Sequence, residues 1–111
     1  MLSILFEYSS RTNRVYAVAL VGDPAIRPHV VNETSFPKKN CAARAVRFVA
    51  ESRSLPEFIN PPRTDVMMCN LDTRLGARLK ELFTRIRIVD NPHLREAARP
   101  VVSCMAYVER A

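Results

Sequence analysis

Apolar residues gather in three short runs near the N-terminus, and these runs predict three β-strands. The runs are LSILFEY (2–8), VYAVALVG (15–22) and HVVNETS (29–35). The second run is apolar on both of its faces, which is typical of a strand inside a sheet. The connecting segments SSRTNR and GDPAIRP are short and turn-like, so we expect the three strands to form an antiparallel meander.

The apolar spacing then changes from that of strands to that of a helix. Over 40–53 the apolar residues at 42, 45, 46 and 49 form one helical face. The opposite face carries Arg44, Arg47 and Glu51. Asn40 is expected to cap this helix through its side chain. The proline-rich stretch 54–63 predicts a loop.

The next part of the chain alternates between strand and helix. Length and composition predict a buried strand over TDVMMCNL (64–71), and RIRIVD (85–90) predicts a short one. The helix between them is expected to begin at Asp72 or Thr73. Gly76 should weaken that helix unless another element packs close to it.

The C-terminal segment predicts a final helix that begins at Asn91 and Pro92, a good start signal. Its apolar residues keep a helical period to the end of the sequence. Pro100 interrupts the pattern, so we expect a kink or two helical pieces. A terminal strand over 101–108 is the alternative.

The element order is therefore β-β-β-α-β-α-β-α, which predicts an α/β (α+β) fold with a mixed five-stranded sheet. The later strands should add in parallel, because helices separate them. The 111 residues predict a single domain over 1–111.

Composition narrows the classes of function. A net charge of +6 and a pI near 9.8 favour a polyanionic partner. No apolar run approaches the roughly 20 residues of a membrane helix, and the N-terminus is a poor signal peptide, so we expect a cytoplasmic (intracellular) protein without membrane contact. With two glycines, the chain cannot build a glycine-rich phosphate loop.

The cysteines and histidines offer little chemistry. An odd count of three cysteines without a C-x-x-C pair argues against disulfides and zinc, and predicts buried free thiols. These are Cys41, Cys69 and Cys104. A nucleophilic pair of Cys41 with His29 or His93 is an alternative.

The element order and the helix start KKNCAARA carry a resemblance to a known family. In topology, over nearly the whole chain, they resemble a degenerate ribonuclease H-like fold. The chain departs from the family's motifs in two places: EYSS stands where the family has Asp-Gly-Ser, and MMCNLD offers Asn70 where it has aspartate. That family hydrolyses phosphodiesters with two Mg²⁺ ions held by carboxylates. The resemblance therefore implies Mg²⁺ as the cofactor if the chain is catalytic, and none otherwise.

The resemblance also places candidate catalytic residues. These are Glu7, Asp72 and Asp90, with Glu96 as a further carboxylate near the last helix, and Glu7 and Asp72 are the candidate metal ligands. The set is incomplete, because Ala43 stands where the family has glutamate and Asn70 where it has aspartate. Helix capping by Asp72 and turn formation by Asp90 are the alternative roles. A carboxylate inside an apolar strand, such as Glu7, must pair, face water or shift its pKa.

Basic residues concentrate at the first two helices. They are Lys38, Lys39, Arg44 and Arg47 at the first, and Arg74, Arg78, Lys80, Arg85 and Arg87 on and after the second. If both helices pack on one sheet face, these cations form a surface that suits phosphates. Interleaved acids, Glu51, Glu57 and Glu81, would instead make ordinary surface pairs.

These observations predict a non-catalytic binding module for nucleic acid or for a nucleic-acid-handling protein. One alternative is a divergent Mg²⁺-dependent nuclease. The other is a protein-interaction or homodimerisation module.

Overall fold

The described part of the chain forms five strands and three helices in the predicted order. The structure is a computed structural model, and it describes residues 1–56, 58 and 62–110, with the side chain of residue 110 left aside. The strands are β1 Leu2–Ser9, β2 Arg14–Val21, β3 His29–Pro37, β4 Thr64–Cys69 and β5 Ile86–Ile88. The helices are α1 Cys41–Arg53, α2 Arg74–Leu82 and α3 Pro92–Arg110. The prediction of a mixed α/β fold is confirmed.

The strands form one mixed sheet in the order β3-β2-β1-β4-β5. β1 pairs antiparallel with β2 and parallel with β4, β2 pairs antiparallel with β3, and β4 pairs parallel with β5. The meander and the later parallel strands are therefore both confirmed. β2 lies between two neighbours and is buried over 15–20, as its two apolar faces predict.

Side chains that alternate along the strands build two apolar layers, one on each face of the sheet. On one face, Phe6 of β1 meets Phe48 of α1 with ring centres 5.8 Å apart, and Leu79 of α2 joins the same cluster. On the other face, Leu5 packs with Leu94 of α3. The helices α1 and α2 thus cover one face and α3 covers the other.

The last helix is continuous where the sequence suggested a break. α3 spans Pro92–Arg110 with Pro100 inside it, so both the division into two pieces and the strand over 101–108 are wrong. Pro100 is exposed, so the carbonyl that loses its amide partner lies where water can satisfy it. The predicted start is confirmed, because the Asn91 Oδ1 atom accepts a hydrogen bond from the His93 amide at 3.0 Å.

The other two helices begin differently from each other. Asn40 is the N-cap residue of α1, as predicted, but it is in the left-handed conformation, with φ of 66°, and its side chain makes no capping hydrogen bond. In this conformation the residue turns the chain into the helix by its backbone. At α2, the Asp72 Oδ1 atom accepts a hydrogen bond from the Arg74 amide at 2.8 Å. Asp72 is the capping side chain there, whereas that of Thr73 makes no such bond.

Left-handed residues also shift one end of β4 and of β5 from the predicted positions. Asn70, with φ of 59°, closes β4 at Cys69, and Arg85, with φ of 61°, delays β5 to Ile86. β3 instead extends to Pro37. The loop predicted over 54–63 lies partly outside the described residues.

β3 is an edge strand of the sheet, and it is exposed along much of its length. His29, Val30 and Glu33 are all exposed, Val30 by 43%. Its pairing with β2 shifts register between Ala19 and Leu20, which marks a bulge. Among the described residues, no helix has the length and apolarity that crossing a membrane requires.

The three cysteines are free, but they differ in exposure. Cys69 is buried, Cys41 is half-buried and Cys104 is exposed on α3. The prediction of buried thiols therefore holds for Cys69 and is wrong for Cys104, because that residue lies on the outer side of a helix that buries Leu94 and Ala98.

Candidate nucleic-acid interface

The two helices that carry most of the basic residues lie side by side on one sheet face. Ala45 and Val49 of α1 and Leu75 of α2 belong to the same apolar cluster. A cleft of about 320 Å³ separates the helices on their outer side, lined by Ala42, Ala43, Val46, Arg78 and Leu82. The arrangement on which the basic surface depends is therefore present.

The cations of these helices are exposed. We define the helical basic surface as Lys38, Lys39, Arg44, Arg47, Arg74, Arg78 and Lys80, all exposed. Three of them pair with acids, namely Arg47 with Glu51 at 2.9 Å, Arg74 with Asp72 at 2.6 Å and Arg78 with Glu81 at 3.6 Å. Exposed pairs of this kind are weak, about 0–1 kcal/mol each. The interleaving acids Glu51 and Glu81 are thus confirmed, and Glu57 lies outside the described residues.

The start of α1 is positive, and two of its cations lie on aromatic rings. The Lys38 Nζ atom lies 4.4 Å from the ring centre of Tyr8, and the Arg44 guanidinium lies 5.4 Å from that of Phe36. The first turn contains no acid. The first amides of a helix have no partner within the helix, and its dipole adds positive potential, so this end favours an anion.

Arg87 does not belong to the helical basic surface. It extends from β5 to Asp65 of β4, with Nε–Oδ1 and Nη2–Oδ2 distances of 3.0 and 2.9 Å. Asp65 lies on the sheet face that α3 covers, two residues before Met67 of that cluster. The hydrogen bonds to Asp65, followed by its charge, raise the pKa of Arg87. Asp65 itself carried no signal in the sequence.

Arg85 lies near a second arginine that the sequence did not single out. Burial, and then the charge of Arg85, lower the pKa of Arg53. The Arg53 guanidinium lies 5.6 Å from the ring centre of Phe83, and its Nη2 atom donates to the carbonyl of Pro62 at 3.3 Å. Arg53, at the end of α1, is therefore held among Phe83, Pro62 and the charge of Arg85.

The three candidate catalytic carboxylates have different surroundings. Glu7 is half-buried and accepts a hydrogen bond from Arg95 of α3 at 3.2 Å. Asp72 is held by Arg74, whose side-chain hydrogen bonds are the main reason that the pKa of Asp72 is low. Asp90 is exposed beyond β5.

Glu7 and Asp90 come close to one residue, the buried thiol of Cys69. Burial is the main reason that the pKa of Cys69 is raised, and the negative charges of Glu7 and Asp90 raise it further. Asp72 turns instead to the start of α2. Within the described part of the chain, no group of three or more histidine, cysteine, aspartate or glutamate side chains could hold a metal ion. Glu96 is exposed on α3.

An open cleft of about 500 Å³ lies between the end of β1 and the last turns of α3. Its lining includes Glu7, Arg11, Asn70 and Tyr107, and the Tyr107 ring is 75% exposed. Glu7 and Asn70 both line this cleft. The cleft joins turns and helix ends that are distant in sequence, so nothing in the pattern indicated it.

One partly buried network of hydrogen bonds and an ion pair holds the end of α3 beside that cleft. The Tyr16 hydroxyl donates to Glu109 Oε2 at 2.9 Å, and the Ser35 hydroxyl and Arg14 also bind the Glu109 carboxylate, Arg14 at 3.1 Å. Burial is the largest cause of the raised pKa of Tyr16. Glu109 lies 93 residues from Tyr16, which is why sequence spacing could not reveal this contact.

No contact among the described residues supports the alternative of a nucleophilic cysteine–histidine pair. Cys41 begins α1, His29 begins β3 and His93 lies in the first turn of α3. No hydrogen bond joins Cys41 to either histidine among the described residues.

Comparison with known proteins identifies no relative. No protein-family model matches the chain, and no curated protein matches it in sequence.

Proposed function

We propose that this chain is a non-catalytic binding module that contacts nucleic acid through the helical basic surface. The observation that carries the proposal is the placement of α1 and α2 on one sheet face, so that both helices present exposed cations on the same side of the sheet. Lysine and arginine on such a surface bind phosphates and release counterions. The contacts give affinity without reading the base sequence.

The start of α1 supports the same proposal. Its acid-free first turn, with Lys39 exposed beside it, is suited to a phosphate oxygen rather than to a metal ion. Ala43 stands where a ribonuclease H-like nuclease would place a glutamate. The element order and the mixed sheet support a ribonuclease H-like fold, and we propose that this fold serves binding here.

Charge reversal tests the proposal. A variant with Arg44, Arg47, Arg74 and Arg78 all changed to Glu is compared with a control in which four exposed arginines elsewhere, Arg11, Arg27, Arg63 and Arg99, are changed to Glu. Both variants have the same net charge, so a general loss of attraction affects them equally. Fluorescence anisotropy with single-stranded and duplex DNA and RNA measures affinity, while circular dichroism verifies the fold.

We expect the parent to bind with a steep salt dependence and the first variant to lose binding at least about a hundredfold relative to the control, because several phosphate contacts disappear together. Equal binding by the two variants would refute the proposal. The same samples with Mg²⁺ test the nuclease alternative, which requires cleavage that Glu7→Gln abolishes. Self-association that is insensitive to salt, without nucleic-acid binding, would favour a homodimerisation module.

A further inference from the structure

The helical basic surface is divided by an apolar cleft. Ala42, Ala43 and Val46 of α1 face Leu82 of α2 across it, and Leu82 is 46% exposed. Arg44 and Arg47 lie on the other side of α1, where they line a separate hollow beside Thr34 of β3. Apart from Arg78, which also lines it, the cleft is uncharged, and it separates the cations of α1 from those of α2. We call the α1 and α2 sides of the cleft its two banks, and its apolar lining the stripe.

A phosphate backbone does not account for this stripe. Phosphates need cations and amide donors, whereas an exposed leucine and alanines in a concave site gain free energy when apolar side chains enter. The cleft volume of about 320 Å³ is at the low end for a ligand pocket, so it suits one or two side chains rather than a cofactor.

We infer that the cleft docks an acidic amphipathic α-helix of a partner protein. A helix laid in a groove between two helices inserts apolar residues spaced at i, i+3 or i+4, and i+7. Leucine-type side chains would contact Leu82 and Val46. Carboxylates on the flanks would face Arg78 on the α2 bank and Lys39, just before α1, on the other bank. The inference goes beyond nucleic-acid contact, and because both ligands use the same cations, they compete.

Charge decides between such a helix and a second copy of this chain. The exposed cations Arg95 and Arg99 lie on α3, and those of α1 and α2 form the helical basic surface. A second copy carries a net charge of +6 and would therefore be repelled overall by the cations at the banks. An acidic helix is complementary to both banks and to the stripe.

The test uses a designed peptide of about 18 residues, with leucines at i, i+3, i+7 and i+10 and glutamates on both flanks. A control peptide has the same composition with the leucines distributed around the helix. Fluorescence anisotropy with the full chain should show binding of the first peptide and at least tenfold weaker binding of the second. Equal binding of the two peptides would mean that charge alone attracts them and would overturn the inference.

Two protein variants locate the site. Leu82→Gln should weaken the peptide about tenfold while leaving nucleic-acid affinity unchanged, because it removes apolar contact without removing charge. Ile26→Gln is the matched control, since Ile26 is also an exposed apolar residue, by 75%, but lies in the β2–β3 turn. An unchanged peptide affinity in Leu82→Gln would overturn the inference.

The two proposals fail separately. Nucleic-acid binding without peptide binding would refute the docking helix alone. Peptide binding that depends on Leu82, without nucleic-acid binding, would refute the proposed function alone. If both ligands bind, the peptide should displace nucleic acid, and simultaneous binding of both would refute the shared site.

Discussion

Asp65 shows how a single buried charge in this fold depends on one partner. Asp65 is 5% exposed, and both of its carboxylate oxygens accept hydrogen bonds from Arg87. When a buried carboxylate loses its partner, the free-energy cost of removing it from water is no longer offset. The side chain of Arg87 is 56% exposed, so water screens part of its interaction with Asp65.

We therefore expect Arg87→Ala to lower the free energy of unfolding by about 1–2 kcal/mol. Adding Asp65→Asn should restore part of this loss, because the neutral amide is less costly to bury alone. Urea unfolding measures both variants, with Arg99→Ala as an exposed control. A loss no greater than that of the control would contradict the role given to the pair.

Cys69 should make the protein less stable in mild alkali. Burial and the charge of Glu7 raise the pKa of its thiol, so the folded chain holds that proton more tightly than the unfolded chain. The corresponding stabilisation is complete below the usual thiol pKa of about 8.5 and is lost as the pH rises through the folded value.

Between about pH 8 and 9.5, the free energy of unfolding should fall more steeply for the parent than for Cys69→Ala. Cys104→Ala, which changes an exposed cysteine, is the control and should follow the parent. Denaturant titrations at several pH values give the slopes. Parallel slopes for the parent and Cys69→Ala would show that another group is responsible.

Sequence pattern was informative about single residues only where the partner is local. The capping roles of Asp72 and Asn91 could be predicted because each carboxylate or amide bonds an amide two residues later. The pairing of Asp65 with Arg87, 22 residues apart, depends on β4 lying next to β5. One sequence contains no strand order, so this contact could not be deduced.

Among the elements, α2 is the one whose packing limits the size of a side chain. A Cβ atom added to Gly76 would lie 2.7 Å from the Met68 methyl group and 3.3 Å from two carbons of Ile88. We expected Gly76 to weaken α2 unless another element packs close to it. That close packing is present. The methionine end can move, whereas Ile88 belongs to a strand.

Gly76→Ala should leave the free energy of unfolding within about 0.5 kcal/mol of the parent, because the helix gain of about 1 kcal/mol is offset by the contact. Gly76→Val should lose about 2–3 kcal/mol. Ala77→Gly, on the exposed side of the same helix, should lower the free energy of unfolding by about 1 kcal/mol. This control measures the difference in helix propensity between alanine and glycine in α2. A clear stabilisation by Gly76→Ala would show that no close contact exists.

Helix and strand types were predictable, whereas several of their ends were not. The continuity of α3 depends on the exposure of Pro100, which sequence periodicity does not contain. β4 ends early because Asn70 is left-handed, and β5 begins late because Arg85 is left-handed. Asparagine adopts that conformation readily, but arginine gives no such signal.

At the scale of the molecule, one sheet separates two apolar layers. Phe48 fills the layer under α1 and α2, and Leu94 fills the layer under α3; both are at most 2% exposed. The element order predicted such layers, but the assignment of each helix to a face required the structure. Long-range strand pairing joins the layers into one unit.

The losses from Phe48→Leu and Leu94→Ala should therefore add to within about 0.5 kcal/mol in the double variant. The losses in the free energy of unfolding from Phe48→Leu and Phe6→Leu should not add, because those two rings are in contact. Each variant should unfold in a single transition, which fluorescence-free probes such as far-UV circular dichroism can follow in urea. Strong coupling between the opposite-face pair would contradict independent layers.

The exposed edge at β3 also determines how copies of the chain could stack. Proline has no amide hydrogen, so Pro28 and Pro37 confine any added strand to residues 29–36. The opposite edge, β5, offers three residues. Two copies that pair through β3 use up both long edges, and the short β5 edge cannot template another layer. Growth along the sheet would end at a closed pair, so the architecture protects against fibre formation.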